Sequence, residues 1–347
     1  MKIGIEIDFQ RKRFSVPVER VQLADRLGYD MCFAAEANGS DAFTALGFVA
    51  GVTSQIGLGT RIVQTMARTP AATAMGFMTL QHMAPDRTIL AGLGSVADWF
   101  IEGWHGHKWN PPYWRMRDYV AIMRKAFNGD VVEHEGRTIN IPYREPGEKP
   151  KHSPMKPTLD PCPDIRILFG GGTPTMLTLA AEIADGLLPN GSWSPGLYDF
   201  YRPMIEKGLA KRGSSLSADN FPIWAHVDVL VTHDVKGALA QFKEYVARYA
   251  WKPAALGTQM VARGYGEARE RCAELYLAGR IAEAEAAVPD EYIEEFWLIG
   301  PLPRIVERWR TKWINDGCNL IVRTDNWPSA KPANNDVYEP LLRALRD

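Results

Sequence analysis

Cysteine is scarce in this chain: four in 347 residues, at Cys32, Cys162, Cys272 and Cys318. None stands in a Cys-x-x-Cys pair, so neither a disulfide framework nor a zinc site is expected, and a reducing cytoplasm is the expected setting. Charge of one sign is lacking too. Forty Lys and Arg stand against 41 Asp and Glu, a net charge of -1. That argues against a polycationic nucleic-acid binder and against an acidic disordered tail. No run reaches the roughly 18 uninterrupted apolar residues that a membrane helix needs. Met1-Lys2-Ile3-Gly4 leads straight into a strand pattern, without the basic start, apolar stretch and cleavage site of a signal peptide. HExxH, Gly-x-Ser-x-Gly and Walker A motifs are absent, so zinc-protease, hydrolase and P-loop readings lack their signatures. Tryptophan, by contrast, is plentiful at 11, and 46% of residues are hydrophobic. The chain can bury a large core, and it has flat surfaces to bury or a flat ligand to hold.

The first ninety residues alternate strand and helix. Ile3 to Asp8 alternates with period two; residues 16–28 follow with helical spacing and stop at Gly28. A short apolar strand over Asp30–Ala35 precedes a helix over 42–54 that Ser40 or Asp41 can cap. Ile56–Val63 is the third strand, 70–83 the third helix with Pro70 in its first turn, and Arg87–Gly94 the fourth strand. Residues 95–112, rich in Trp, Gly and Pro, read as a long loop. A helix over 113–127 and a small hairpin over Val131–Ile141 follow. Seven prolines in residues 142–163 mark a surface excursion. Strands then recur at 165–169, 185–189, 222–231 and 319–323, with helices at 174–184, 196–212 and, last, 302–315. Residues 234–287 are almost wholly helical, too long for one crossover, and read as a helical region inserted into a single domain spanning 1–347. Eight β-α units favour a closed (β/α)8 TIM barrel over an open doubly wound sheet. Gly92-x-Gly94 does not continue into a dinucleotide fingerprint.

In a barrel the chemistry collects at the C-terminal strand ends. With Ile3, Ile5 and Ile7 toward the helices, Gly4, Glu6 and Asp8 face the lumen. Glu6 is then either a structural acid with a buried partner or a proton donor with a raised pKa. Glu36 ends strand two as either a second functional acid or a helix-capping one. On strand seven Trp224, His226 and Asp228 face inward, and Trp224 beside His226 makes a plausible ligand wall. Phe169-Gly170-Gly171-Gly172-Thr173-Pro174 runs from a strand into a helix, with Thr173 at the N-cap and Pro174 at the next position. Three successive glycines suit a phosphate or a flat ring against the backbone, though a tight turn needs one of them anyway. Gly92-Leu93-Gly94-Ser95 forms a second glycine wall. His105-x-His107 lacks a third ligand and reads as two loop histidines, so no metal is expected.

Several stretches, taken in order, carry a resemblance. They are Ala35-Glu36-Ala37-Asn38-Gly39-Ser40-Asp41; Leu58 through Arg61-Ile62-Val63-Gln64 to Pro70; Ala91-Gly92-Leu93-Gly94 on to Glu102-Gly103-Trp104-His105-Gly106; Gly170 to Pro174 on to Ala184-Asp185-Gly186; and the tail from Val288 to Val322. The chain resembles the bacterial luciferase-like superfamily of flavin- and deazaflavin-dependent oxidoreductases, and within it the branch of methylenetetrahydromethanopterin reductase, whose members commonly use coenzyme F-420. The resemblance implies a luciferase-like TIM barrel with the ring at the C-terminal mouth, backed by a non-prolyl cis peptide at Arg61–Ile62. Many relatives have a small residue where Arg61 stands. The resemblance further implies that Glu36 and Gln64 lie near the ring. Ser95 and Val96, after Gly94, would contact the coenzyme's tail and phosphate, as would Gly171, Gly172, Thr173, Thr175 and Met176. The Glu used by sugar-phosphate dehydrogenase relatives maps to Ala97.

The expected activity is hydride transfer between coenzyme F-420 and a small organic substrate, with Glu36, Glu6 and His226 as candidate proton-handling residues. The alternatives are an FMN-dependent monooxygenase using reduced flavin and oxygen, and a non-catalytic barrel that binds a ligand or partner. Trp99, Trp104, Trp109, Tyr113 and Trp114 either roof a substrate or pack their loop onto the barrel. The resemblance suggests a homodimer; neither nucleic acid nor membrane is an expected partner.

Overall fold

A computed structural model describes residues 1–7, 13–190, 193–213, 216–251, 256–314, 317–324 and 335–347. Asp8 lies outside the described residues. The barrel strands are β1 (Ile3–Glu6), β2 (Met31–Ala34), β3 (Gly57–Thr60), β4 (Ile89–Gly94), β5 (Arg166–Gly171), β6 (Gly186–Pro189), β7 (Trp224–Val231) and β8 (Asn319–Arg323). All are parallel, with helices in the connections, as crossover units demand. Strand β8 joins the two halves of the chain: Leu320 stands opposite Ile3 of β1, and Asn319 opposite Trp224 of β7. Between β6 and β7, among the described residues, the ring closes through one bridge, Leu187 opposite Ile223, with the Leu187 N–H donating to the Pro222 carbonyl at 2.8 Å.

Local chemistry sets the element boundaries. Helix Val18–Leu27 stops on Gly28 at φ 84°, a conformation that glycine adopts without a Cβ penalty. Asp41 caps helix Ala42–Val52 by accepting from the Thr44 N–H at 2.7 Å. Thr69 caps helix Pro70–Met83, with Pro70 in the first turn. The strands are buried on both faces and mostly apolar. Ile3, Ile5 and Ile7, with Ala225, Val227 and Val229, join the core under the helices. A second cluster of Met31, Phe33, Leu90, Leu168, Leu188, Trp224 and Ile321 fills the lumen, with Phe33 and Trp224 edge to face at 5.3 Å. The four cysteines are buried and free. Among the described residues no helix is long and apolar enough to cross a membrane.

Four expectations change. The stretch 95–112 is not all loop: Asp98–Gly103 is a short helix anchored by buried Ile101, where the Trp and Gly content hid the turn. A ninth strand, Trp297–Gly300, runs beside Asp228–Val231 of β7. The helix begun at Leu302 passes into a π turn over Trp309–Trp313 and is not the last, since Tyr338–Arg346 forms a further helix. Thr173 does occupy the N-cap position of helix Pro174–Ile183, but its hydroxyl makes no capping hydrogen bond. The region 234–287 holds helices Val235–Tyr249, Leu256–Ala262, Gly266–Leu277 and Ile281–Ala286, and a further one, Asp290–Phe296, leads into the ninth strand.

Candidate active site

The strand expected over Ile56–Val63 breaks in two, Gly57–Thr60 and Val63–Gln64, around a cis peptide at Arg61–Ile62. This bulge turns both residues toward the mouth, and each meets a different environment. Ile62 presses on β4 and β5. A Cβ added at Gly94 would fall 2.8 Å from Ile62 Cγ1, and one at Gly170 would fall 3.0 Å from Ile62 Cγ2. At Gly92 it would fall 1.8 Å from the Thr60 carbonyl oxygen. Those glycines therefore make room for the bulge itself. Gly171 differs, because a Cβ there would meet Met176 at an ordinary 3.5 Å.

Arg61 reaches across the mouth. Its Nη1 pairs with Glu6 Oε2 at 3.0 Å, and its Nη2 bonds to Nδ1 of His226. The acid on β1 thus has its partner in the bulge after β3, a link that periodicity alone did not reveal. Beyond His226, Nε2 lies 3.8 Å from Asp228 Oδ2. Asp228 is gripped by Arg323 at 2.8 Å through both Nε and Nη2, and it accepts from the Trp297 indole at 3.1 Å. Burial pushes His226 well below the usual histidine range, and the nearby Arg323 and Arg61 push it the same way. The ring is therefore neutral. With Nδ1 facing a guanidinium, its proton sits on Nε2, toward Asp228.

Glu36 belongs to a separate cluster. Its carboxylate takes Arg68 through Nε at 3.1 Å and Nη2 at 2.5 Å, and Arg68 also pairs with Asp41 and lies over the Phe43 ring. The Glu36 N–H donates to the Ile62 carbonyl at 3.1 Å, which ties this acid to the bulge through backbone rather than through its side chain. Gln64 donates to the Ala37 carbonyl at 3.0 Å, while its Oε1 is buried with no partner among the described residues. Ser95 and Val96 are half-buried on the β4 loop, where the Val96 carbonyl holds the Trp109 indole at 3.1 Å. Gly172, Thr173, Thr175 and Met176 lead from β5 into the open N-terminus of helix Pro174–Ile183. A cleft of about 700 Å3 lies beside Arg68, lined also by His107, Lys108, Trp114 and Arg115. Trp99 and Trp104 are exposed. Among the described residues no three His, Cys, Asp or Glu side chains gather as metal ligands do.

The structure thus brings Glu6, Arg61 and His226 into one bonded chain, sets Ile62 against Gly94, and leaves Glu36 in its own ion pair. Sequence reasoning missed Arg68 and Arg323. Arg323 had a signal: on β8 it follows Ile321 with period two and stands directly opposite inward Asp228. Arg68 had none beyond its place in a matching stretch.

An apolar bulge facing glycine strands, an unpaired buried amide oxygen and an uncapped helix N-terminus together fit a flat heterocycle with a phosphate-bearing tail. The sequence pattern of the luciferase-like monooxygenase family matches residues 3–319, and the chain belongs to that family. It is therefore an enzyme, an oxidoreductase on a luciferase-like barrel. Among its relatives is a Mycobacterium tuberculosis protein that carries the name of a coenzyme F420-dependent oxidoreductase, 32% identical over 93% of this chain and 95% of that one. The 5,10-methylenetetrahydromethanopterin reductase of Archaeoglobus fulgidus is 27% identical over 89% of each chain. The solved structure of the coenzyme F420-dependent tetrahydromethanopterin reductase of Methanopyrus kandleri superposes with a TM-score of 0.75 at 22% identity, covering 99% of this chain and 98% of that one, a likeness of fold.

Proposed function

We propose that this enzyme transfers a hydride between the deazaflavin coenzyme F-420 and a small organic substrate. The observation that carries this reading is the Ile62 bulge seated against Gly94 and Gly170, which gives a flat ring an apolar backing beside the free Gln64 oxygen. Ile62 and Gln64 would hold the ring, and Gly171 to Met176 with Ser95 and Val96 would hold the tail and phosphate. When bound, the coenzyme supplies a two-electron hydride donor or acceptor.

The chain's own residues orient the reactants and fix the charges around them. Glu36 is pinned by Arg68, which fixes a carboxylate at the rim rather than freeing an acid to move. Glu6 is paired with Arg61. His226, neutral and buried, keeps its ring in place between Arg61 and Asp228. The packed lumen beneath excludes water from one side of the site, which strengthens every charge interaction above it. A proton taken up or released by substrate then exchanges with solvent at the mouth.

A fluorescence-quench titration with F-420 and, in parallel, with FMN tests the reading. Binding of F-420 tighter than FMN by about 1.4 kcal/mol or more, a factor of ten, is expected. The reverse preference would replace this reading with the flavin-and-oxygen chemistry that the family's description as monooxygenases favours.

A further inference from the structure

We propose that the cleft beside Arg68 is an anion-binding site, separate from the coenzyme seat, that takes the carboxylate or phosphate end of a small organic ligand. This goes beyond the hydride-transfer reading, which enters only where the two sites are told apart.

The first observation is charge. At about 700 Å3 the cleft has the size of a small-molecule pocket. Arg68, Lys108 and Arg115 line it, and no Asp or Glu does. Arg137 stands at the rim, its guanidinium 3.7 Å from the centre of the Trp114 ring that forms one wall. Glu36 and Asp41 pair with Arg68 from outside the lining and offset that one cation. Lys108, Arg115 and Arg137 have no ion pair among the described residues. Thr69 and Pro111, at the N-caps of helices Pro70–Met83 and Pro112–Phe127, also lie in the lining, so two helix dipoles add positive potential there.

The second observation is the state of Arg115. Its Nε and Nη2 donate to the Thr65 carbonyl at 3.1 and 2.9 Å, so backbone fixes the guanidinium in place. Nη1 makes no bond among the described residues and is not sealed from solvent, so it is open to a ligand. Burial holds the group below the usual arginine value, against the pull of Tyr119 and Asp118. Asp118 does not pair with it; that carboxylate accepts from Thr138, Ile139 and the His134 ring. A half-buried cation with no carboxylate partner has lost hydration that an anion in the cleft would replace.

The third observation is position. Ile62, Gln64, Ser95, Val96 and Gly171 to Met176, which form the proposed coenzyme seat, are not in the lining. The cleft still opens beside that seat. Met66 to Thr69 continue the chain from Gln64, and His107 to Pro111 close the connection that leaves Gly94. Arg68 joins the two sites, gripping Glu36 while it lines the cleft. An anion held here lies at the mouth, where the charged end of an entering ligand would be seated.

The test titrates the full chain by calorimetry at low ionic strength, with pyrophosphate as the phosphate probe and citrate as the carboxylate probe. The two arms tell the sources of the anion apart. At least one should bind, and Lys108→Glu should weaken that binding by about 10- to 100-fold. Lys207→Glu makes the same charge change on the exposed side of helix Leu197–Arg212, outside the cleft, and should leave it unchanged. Arg115→Gln should abolish it; if that variant does not fold, Lys108→Glu still decides. Saturating F-420, followed by fluorescence quenching, should not alter the anion's affinity. If neither probe binds, or if Lys108→Glu and Lys207→Glu weaken binding equally, the cleft is not an anion site. Displacement of the probe by F-420 would mean that the cleft holds the coenzyme's own tail, and would overturn the separation of the two sites. A chain that binds a probe in the cleft and fails to bind F-420 overturns the hydride-transfer reading and leaves this site standing.

Discussion

Alanine placed along the glycine wall should give costs graded by what each new methyl meets. At Gly92 the methyl would sit 1.8 Å from the Thr60 carbonyl oxygen and 2.8 Å from its carbon. Both are backbone atoms of a paired strand, and the Thr60 hydroxyl is tied to the Gly92 carbonyl at 2.7 Å, so nothing there can yield. Gly92→Ala should cost more than about 4 kcal/mol and fail to give folded protein. At Gly94 the methyl would meet Ile62 Cγ1 at 2.8 Å and Cδ1 at 3.0 Å. A side chain can turn aside, so the cost should be about 1–3 kcal/mol, the usual range for overpacking. At Gly171 the nearest atoms lie at 3.5 Å or beyond, and its φ is not among the positive ones. Gly171→Ala should be neutral or gain about 0.4–1 kcal/mol from a stiffer unfolded chain. Guanidinium unfolding read by tryptophan fluorescence gives the midpoints. Adding Ile62→Ala removes the atoms that clash at Gly94, so the Gly94→Ala cost should shrink by about 1–2 kcal/mol in that background. Equal costs at Gly94 and Gly171, or no coupling between Gly94 and Ile62, would refute the view that the wall is shaped by the bulge.

Further expectations concern protons and ion pairs. Because His226 refuses a proton that the unfolded chain accepts, stability should begin to fall as pH drops through about 6.5, and His226→Asn should abolish that first phase in pH-resolved unfolding. A second phase belongs to Asp25. Burial raises this carboxyl, but the N–H groups of Ser54, Ile56 and Gln55 and the Ser54 hydroxyl more than offset it and hold it below its usual value. Its stabilisation is complete above about pH 3.9 and is lost as pH falls through the lower folded value. Asp25→Ala at neutral pH strands the buried Ile56 N–H, while exposed Ser54 and Gln55 can turn to water. A loss of about 2–4 kcal/mol in chemical denaturation is expected, against a smaller loss for Asp25→Asn. Trp297→Phe removes one donor from Asp228 but leaves both Arg323 bonds, so about 1 kcal/mol should go, with the fold intact by circular dichroism.

Local rules made much of the scaffold legible. The recurring rhythm of short apolar stretches and helices found the eight barrel strands, period-two alternation found the inward faces of β1 and β7, and Gly28, Asp41 and Pro70 marked helix ends through their own backbone chemistry. The four residues Trp297–Gly300 are too few to show a period, and they are a strand because the upper end of β7 offers an unpaired edge. The helix Tyr338–Arg346 was readable, since Tyr338, Leu341, Leu342 and Leu345 share one face, and it went unread. The site resisted for a different reason. Glu6 and Arg61 are 55 positions apart, and Arg61 and His226 are 165 apart. Such pairs are made by barrel closure rather than by neighbourhood, so a sequence shows two inward charges without showing that they meet. For the glycines the residue type was plain but its use was not: Gly94 and Gly170 yield space to Ile62, and Gly171 does not.

The single bridge between β6 and β7 gives the ring a clasp. Elsewhere each strand is stitched to its neighbour over two to five register positions. Here, among the described residues, Leu187 and Ile223 form the one bridge, and higher up the Trp193 N–H bonds to the His226 carbonyl. Amide hydrogens along this line should therefore exchange with solvent before those of the β8–β1–β2 stretch, whose opening requires the whole barrel to unroll. One margin of the clasp carries His226, and the ring of charge around Arg61 is fastened to that margin. The barrel would loosen first, then, along the line where its buried charges are anchored.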